Sequence, residues 1–301
     1  MSKTKKILIS GSTGFVGSHL LRACRDLGHT PIRLVRTTRT TSDTSFFWDP
    51  SRQEIDPEAL QGVDTVIHLA GENVADGYWS RKKKDRILQS RIHSTKFLVN
   101  EILKQKKKPK TLICASAVGW YGNRGSDVLD EAQPAGRGFL ADVAKVWEKE
   151  ANLAAEGGVR VAHLRLGLIL SGDGGAMEKI LPPFQMGLGG PLGDGSQFVS
   201  WITIEDVIRS IFFIMDHKKI SGPVNITAPE PVTNAQFGKI LAEVLNRPFL
   251  IPTPAFALKL GLGDMAKELL LSSIRAIPKK LQDHGFIFEN PDLKKVFKKM
   301  V

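Results

Sequence analysis

Three glycines with the spacing GxxGxxG lie near the start of this 301-residue chain, in the segment Gly11-Ser12-Thr13-Gly14-Phe15-Val16-Gly17. In a turn between a strand and a helix, such glycines allow a tight bend, a close approach of the backbone to a pyrophosphate, and packing of the helix on the strand. The helix N-terminus then faces the anion. The segment predicts a dinucleotide-binding loop, with a strand–helix turn that binds no ligand as the alternative.

The residues after the next predicted strand distinguish NAD from NADP. A carboxylate there would hydrogen-bond the ribose 2′-hydroxyl and repel a 2′-phosphate. The sequence reads Leu34-Val35-Arg36-Thr37-Thr38-Arg39, and the first carboxylate is Asp43. The guanidinium of Arg36 is suited to pair with a 2′-phosphate. The sequence therefore predicts NADP as the cofactor, with a solvated arginine at a strand end as the alternative.

Strands and helices alternate over the first 170 residues and must position this loop. Apolar runs predict strands over 7–10, 31–35, 46–48, 65–69, 112–116 and 159–164, with helices over 14–26, 80–104 and 138–156. Further on we expect helices over 205–216 and 234–245, a strand over 224–226, a helical region over 255–276, and a Lys-rich helix from 291.

This alternation indicates an α/β fold, a Rossmann-type doubly wound parallel sheet with helices on both faces. We expect residues 1–170 to form the NADP-binding domain. Residues 171–301 are expected to form a smaller C-terminal α/β cap that binds substrate and is interleaved with the sheet.

Two further segments carry a family resemblance. Val66-Ile67-His68-Leu69-Ala70-Gly71 and the strand end ICASAVGWYG, with Ser116, resemble the extended short-chain dehydrogenase/reductase superfamily. GGAMEKILPPFQMGLGGPLGDGSQFVSWITIEDV and NITAPEPVTNAQF resemble its atypical subgroup of NAD-dependent epimerase-like "epimerase family" proteins, sometimes mislabelled cell-division inhibitors. The resemblance covers nearly the whole chain. It implies cofactor contacts at Leu69, Ala70 and Gly71, a catalytic Ser116, and an Arg165 that passes beneath the nicotinamide.

The superfamily's usual acid–base pair, Tyr-x-x-x-Lys, is missing. When the helix over 138–156 is aligned on Glu148, the positions expected for the Tyr and the Lys hold Leu140 and Ala144. The chain has only two tyrosines, Tyr78 and Tyr121. Tyr121 is either a proton donor with an ordinary pKa near 10 or an aromatic residue that packs over cofactor or substrate. Ser116 either hydrogen-bonds the reactants or closes a strand end.

The remaining candidates have smaller roles. The seven histidines show no metal-ligand spacing, so no metal is expected, and His68 is predicted to be a strand-end histidine beside the cofactor, with a general base as the alternative. Residues 171–200, rich in glycine and proline, are predicted to form a substrate lid. Thr203 is predicted to cap a helix.

The net charge of +11 raises the question of an anionic partner. Residues 79–110 contain twelve Lys and Arg and only two acids, so almost all of the excess belongs to one helix and its flanks. This pattern favours a solvated helix face, or a patch that steers an anionic dinucleotide or substrate. Aromatic platforms and a groove-reading helix are lacking, so no nucleic-acid partner is predicted.

The sequence also bears on location. The first residues contain no apolar stretch typical of a signal peptide, and no apolar run is long enough to span a membrane, so no membrane partner is expected. Cys24 and Cys114 are predicted to be buried reduced thiols of a cytoplasmic protein. The oligomeric state stays open.

Two functional hypotheses follow. The first is an NADP-dependent oxidoreductase or epimerase-like protein that acts on a small unidentified substrate; Ser116 and the glycine-rich lid favour it. The second is a non-catalytic NADP(H)-binding sensor or partner-binding protein, which the missing Tyr-x-x-x-Lys pair favours.

Overall fold

The structure is a computed structural model that describes residues 4–36 and 44–301. Its strands are β1 Lys6–Ser10, β2 Thr30–Val35, β3 Ser45–Asp49, β4 Glu54–Ile55, β5 Thr65–His68, β6 Thr111–Ala117, β7 Val128–Leu129, β8 Arg160–Leu166, β9 Leu168–Leu170, β10 Phe198–Val199, β11 Trp201–Thr203, β12 Gly222–Ile226, β13 Val232–Thr233 and β14 Arg275–Ala276.

The helices follow in chain order. They are α1 Phe15–Asp26, α2 Arg81–Lys104, α3 Phe139–Glu156, α4 Met177–Gln185, α5 Ile204–Asp216, α6 Asn234–Leu245, α7 Ala255–Leu262, α8 Lys279–Asp283 and α9 Leu293–Met300. A 3-10 turn spans Val118–Tyr121, and a π-helical turn spans Ala266–Leu270.

The main sheet has eight strands in the order β12-β8-β6-β5-β1-β2-β3-β4. Its strands pair in parallel, except that β4 pairs antiparallel with β3 at one edge. From β1 the chain continues to β2 on one side, and β5 occupies the other side. The strand order therefore reverses between β1 and β5, and this is where open parallel sheets bind ligands. The predicted doubly wound α/β fold is confirmed.

Apolar residues alternate between the two faces of the sheet. In β1, Ile7 and Ile9 lie in a core with α1 and α5, whereas Leu8 lies in a second core with α2 and α3. Successive side chains of a strand point to opposite faces, so a strand covered by helices on both sides must be apolar throughout. This is why the short apolar runs of the sequence predicted the strands well.

The C-terminal part of the chain has a third core of its own. Side chains of α4, α6, α9 and β11 meet there, and the rings of Phe237 and Phe297 contact edge to face with centroids 5.0 Å apart. The later strand β12 pairs with β8 in the main sheet. A domain division at residue 170 stays a prediction.

The predicted glycine-rich loop over 171–200 contains helix α4. Pro182 and Pro183 lie inside this helix, although each lacks a backbone N–H. Met177 is almost completely buried and Phe184 packs on the same third core. Packing of this apolar face compensates for the helical hydrogen bonds that the two prolines cannot donate. Such tertiary stabilisation cannot be recognised from the local sequence.

The helical region predicted over 255–276 is also interrupted. Helix α7 ends before Gly263, whose φ of +59° lies in the left-handed region, and the π-helical turn and β14 follow. Other local predictions hold: the Thr203 hydroxyl caps α5 by accepting from the N–H of Asp206, and Cys24 and Cys114 are buried free thiols. No helix in the described part of the chain combines the length and apolar character that a membrane span requires.

His68 ends β5 and joins three elements through its ring. Its Nδ1 lies 2.6 Å from the Ser10 hydroxyl of β1, and its Nε2 lies 3.0 Å from the Thr95 hydroxyl of α2. Burial, with a smaller contribution from the charge of Arg91, lowers the pKa of His68 to about 3. The ring is therefore neutral at physiological pH and serves as a buried structural link, which argues against the general-base alternative.

This burial predicts a pH dependence of folding. The unfolded chain protonates His68 below its ordinary pKa of about 6.5, whereas the folded chain does not, so His68 favours unfolding as the pH falls toward 3. Between pH 7 and pH 5 its share of the lost unfolding free energy is about 2 kcal/mol. Urea denaturation at the two pH values measures the loss of unfolding free energy. We expect this loss to be about 2 kcal/mol smaller in His68→Asn than in the unmodified chain.

The exposed His93 supplies the control for this experiment. His93→Asn should leave the pH dependence of the unfolding free energy as in the unmodified chain. An identical pH dependence in His68→Asn would contradict a neutral, buried His68, whatever the overall stability of that variant.

Candidate functional site

The glycine loop and the turn after β5 meet where the strand order reverses. Gly11 has a φ of +69°, and a Cβ atom there would lie 2.8 Å from the backbone N of Ala70 and the backbone C of Leu69. A Cβ atom on Gly17 would lie 2.2 Å from the carbonyl oxygen of Gly11. Only glycine fits at either position. The structure thus brings together two predicted cofactor segments that are more than fifty residues apart in sequence.

The start of α1 suits a bound phosphate. Gly14 is the N-cap residue and offers no side chain to the helix, and the first turn contains no acidic residue. Beside it, the Ser12 hydroxyl is buried without a hydrogen-bond partner among the described residues. An anion at a helix N-terminus is favoured by the dipole and the N–H groups. The orphaned hydroxyl and the absence of a side-chain cap fit the pyrophosphate of a dinucleotide.

Arg36 directly follows β2, at the same edge of the sheet as the glycine loop, and is exposed to solvent. This is where a 2′-phosphate on the adenosine ribose would lie in a fold of this type. The stretch 37–43, with Thr37, Thr38, Arg39 and Asp43, lies outside the described residues.

The segment that leads into α4 covers the crevice between these loops. The ring of Phe15 lies against Gly175, where a Cβ atom would approach it to 3.1 Å. Across the crevice, the Lys179 ammonium donates to the carbonyl of Ala75 at 2.7 Å and to the carboxylate of Asp76 at 3.0 Å. Residues 175–179 therefore contact both sides of the predicted cofactor site, while a lid function for the whole of 171–200 stays a prediction.

Beside this crevice lies a buried polar network centred on Arg165. Its guanidinium donates to both carboxylate oxygens of Glu148, from Nε at 2.9 Å and from Nη2 at 3.0 Å. The Ser116 hydroxyl donates to the same carboxylate at 2.7 Å. The side chains of Arg165 and Glu148 are only 2% and 6% exposed. The structure thus brings Ser116 and Arg165 together, and both side chains hydrogen-bond Glu148.

The sequence did not identify Glu148 as a member of this network; there it served only to align the helix over 138–156. It lies on the buried face of α3, among Ala141, Ala144 and Ala151. An acidic residue among small apolar residues on the buried face of a helix indicates that a buried cation pairs with it. A buried carboxylate without such a partner would cost much folding free energy. The sequence does not reveal which arginine supplies that partner.

Tyr121 completes the network and has no exposed surface. Its hydroxyl accepts from Arg165 Nη1 at 3.0 Å and donates to Asn225 Oδ1 at 2.7 Å, with the carbonyl oxygen of Asp130 as a second acceptor at 2.9 Å. Burial raises the pKa of Tyr121 to about 12. This placement argues against both alternatives for Tyr121, because the phenol neither faces a crevice nor releases its proton near neutral pH.

The positions expected for the Tyr and Lys of the usual pair are apolar. Leu140 packs against Gly119, where a Cβ atom would lie 3.1 Å from the leucine Cβ, and Ala144 is buried. Leu140 also belongs to a small cluster with Trp79 and Met265. No proton donor stands at either position.

A carboxylate from the C-terminal region instead caps the start of α3. The backbone N–H groups of Phe139 and Leu140 donate to Glu268 at 3.3 and 3.2 Å. Gly138, with a φ of +122°, permits this approach, since a Cβ atom there would lie 2.7 Å from a Glu268 oxygen. The sequence analysis missed Glu268, because 128 residues separate it from Leu140 and no local motif marks it.

A cleft of about 1210 Å³ opens beside this helix start. The loops after β6, the segment 193–198 and residues 255–273 surround it. Its lining is mostly polar: Asn123, Arg124, Ser126, Arg137, Asp194, Ser196, Gln197, Lys259, Lys267, Glu268, Ser272 and Ser273. It lies at the carboxyl-end edge of the sheet, as the substrate of a dinucleotide enzyme of this fold requires.

The basic segment over 79–110 is not uniformly solvated. Lys83 is buried and donates to the Glu72 carboxylate at 2.8 Å, and Arg91 donates to the Glu72 carbonyl at 3.0 Å. Arg91 lies against Gly71, and burial lowers its pKa to about 10. Two cations of the predicted solvated face thus build the turn after β5. Within residues 4–36 and 44–301, no three His, Cys, Asp or Glu side chains are grouped as metal ligands.

Comparison with known families and proteins gives matches over most of the chain. Residues 7–227 match the model of the NAD dependent epimerase/dehydratase family, and residues 253–300 match a domain of unknown function, DUF1731. The Epimerase family protein Mb2239 of Mycobacterium bovis is 41% identical over 284 residues, covering 94% of this chain and 93% of that protein. The Epimerase family protein YfhF of Bacillus subtilis is 39% identical over 290 residues, covering 95% of each.

A solved structure is similar over nearly the whole chain. The crystal structure of the human epimerase family protein SDR39U1 with NADPH superposes with a TM-score of 0.89 at 28% identity, covering 98% of each chain. The resemblance inferred from the motifs is confirmed at the level of the family and the fold.

The buried network predicts the effect of removing the Tyr121 hydroxyl. Tyr121→Phe leaves Arg165 and Asn225 each without one partner, so we expect a loss of about 1–3 kcal/mol in unfolding free energy by urea denaturation. NADPH affinity should stay within about twofold, since the hydroxyl is buried and binds only within the network.

Tyr78→Phe is the matched control, because Tyr78 is 62% exposed and its change should cost less than about 0.5 kcal/mol. Equal stabilities of the two variants, or a loss of NADPH binding in Tyr121→Phe alone, would contradict a structural Tyr121.

Proposed function

Because this chain belongs to the NAD dependent epimerase/dehydratase family, we propose that it is an NADP(H)-dependent oxidoreductase of the epimerase-like type that acts on a small polar molecule. The observation that carries the proposal is the placement of two binding features at one edge of the sheet. The glycine cradle at Gly11 lies where the strand order reverses, and the polar cleft lies beside the start of α3. Enzymes of this fold bind cofactor and substrate together at that edge.

Arg36 supports NADP over NAD. It is exposed at the end of β2, and the sequence places no carboxylate before Asp43 that would repel a 2′-phosphate. A planar guanidinium pairs well with phosphate oxygens. The human relative, which is similar over 98% of this chain, is described with NADPH.

The nicotinamide of the bound cofactor supplies or accepts the hydride. This chain's own residues bind and orient it. The N-terminus of α1 and the Ser12 hydroxyl would hold the pyrophosphate, and Arg36 would pair with the 2′-phosphate. The contact of Lys179 with Asp76 would help to exclude water from the cofactor.

We assign Ser116 and Arg165 positioning roles. Both side chains bind Glu148, so they fix the carboxyl ends of β6 and β8 relative to α3, at the edge where the nicotinamide would lie. The Ser116 proton is donated to Glu148 and is therefore not free for the substrate. A reaction that needs no strong enzyme acid, or one whose proton exchanges with groups in the cleft, is consistent with this arrangement.

The position of Arg36 predicts a preference for NADPH over NADH that can be measured. Arg36→Ala should weaken NADPH binding about tenfold or more and leave NADH binding within about twofold, because only NADPH carries the 2′-phosphate. Fluorescence titration with both nucleotides measures the two affinities. Arg25→Ala, at the exposed far end of α1, is the control and should change neither. An equal loss for both nucleotides would contradict the assignment.

Turnover separates this proposal from a second candidate, a non-catalytic NADP(H)-binding protein. The second candidate is favoured by one observation, the commitment of both the Ser116 and the Tyr121 hydroxyls to the buried network. We expect the NADPH-loaded protein to consume NADPH with a member of a panel of small polar aldehydes and ketones. Thermal stabilisation by NADPH without consumption across the panel would favour the second candidate.

A further inference from the structure

The cleft beside α3 carries more positive than negative side chains. Among its lining residues, the cations Arg124, Arg137, Lys259 and Lys267 stand against the acids Asp194 and Glu268. Within the described part of the chain, Arg137, Lys259 and Lys267 form no ion pair, and Arg124 pairs only with Asp127, at 3.4 Å. A concave surface with unpaired cations attracts anions.

In the described part of the chain neither acid of the cleft is ion-paired with these cations, so four positive side chains stand against two negative ones. The Asp194 carboxylate accepts from the backbone N–H and the hydroxyl of Ser196, at 2.9 and 2.8 Å, and these hydrogen bonds hold its pKa below the usual range. The Glu268 carboxylate accepts from two backbone N–H groups of α3. Both acids are held by donors within the chain, so the cations remain for a ligand.

The same cleft offers little to a nucleobase. Phe198 is the aromatic residue among its lining side chains, and the guanidinium of Arg275 already covers its ring at 4.7 Å from the centroid. Bases are usually held by stacking on a free aromatic or guanidinium face. The other lining side chains include the hydroxyls of Ser126, Ser196 and Ser272. Ser196 and Ser272 donate to Asp194 and to the carbonyl of Lys267, and their oxygens can still accept from the hydroxyl groups of a polyol.

We propose that this cleft takes a compact anion, a phosphorylated or carboxylated polyol, and not a nucleotide-linked sugar. The proposal rests on the proposed function, since it identifies the class of the substrate that the oxidoreductase would accept. Arg137, which lies just before α3, and Lys259, which lies in α7, bind the anionic group, and the serine hydroxyls bind the polyol part. A nucleobase would have to stack on Phe198, whose ring already contacts Arg275, or on one of the arginines that bind the anionic group.

The experiment uses three matched probes on the NADPH-loaded protein, so that the glycine loop is occupied. Inorganic pyrophosphate, UDP and uridine are titrated by calorimetry at constant ionic strength. We expect pyrophosphate to bind, UDP to bind within about threefold of it, and uridine not to bind. UDP binding at least about tenfold tighter than pyrophosphate would overturn the proposal in favour of a nucleotide site. No heat with pyrophosphate would overturn it altogether.

Two variants locate the binding. Arg137→Ala and Lys259→Ala should each weaken pyrophosphate about three- to tenfold. Lys218→Ala, an exposed lysine just past the end of α5, is the matched control and should have no effect. Unchanged pyrophosphate affinity in both cleft variants would place the anion elsewhere and refute the proposal.

NADPH affinity is measured on the same variants and should be unchanged in all of them. If the unmodified protein did not bind NADPH, the proposed function would fail, but the comparison of pyrophosphate binding among these variants would still decide the chemistry of the cleft.

Discussion

The ion pair between Arg165 and Glu148 joins β8 to α3 inside the molecule, and much of the site depends on it. Through Ser116 the pair reaches β6, and through Tyr121 and Asn225 it reaches β12, so that it links four elements at one edge of the sheet. A buried pair adds little stability compared with well-packed apolar groups, but removing one partner costs about 3–5 kcal/mol. The pair therefore fixes a unique arrangement of strand ends, against which a cofactor and a substrate can be oriented.

This constraint also limits the chemistry. The hydroxyl of Ser116, which the resemblance implies to be catalytic, and that of Tyr121, the candidate proton donor, both bind within the network. The position of the usual acid holds Leu140. The features that remain available to ligands lie around the network. They are the glycine cradle, the exposed Arg36, and a cationic cleft whose inner end is the Glu268-capped start of α3. These features support the proposal of a dinucleotide site and a separate substrate cleft.

Local sequence predicted most elements of the fold, because their causes are local. Strands covered on both faces are short apolar runs, Thr203 caps a helix through its own hydroxyl, and α6 begins and ends where its pattern placed it. Helix α4 was missed, since Pro182 and Pro183 argue against a helix and only its packing on the third core outweighs them. The candidate site could be predicted only in part. The sequence singled out the glycine loop by its spacing and Arg36 by its position after a predicted strand. It did not single out Glu268, whose partners lie more than a hundred residues away.

The sequence by itself determined the fold class, the family and the dinucleotide loop, because each depends on residue types at short, fixed spacings. It also determined that Tyr-x-x-x-Lys is absent, since the two tyrosines can be counted. Only the tertiary structure decided what Ser116, Tyr121 and Arg165 do, because burial and hydrogen-bond partners depend on contacts between distant segments. It likewise decided that the cations of the C-terminal region line the same cleft as Arg137, a charge pattern that exists only when the chain is folded.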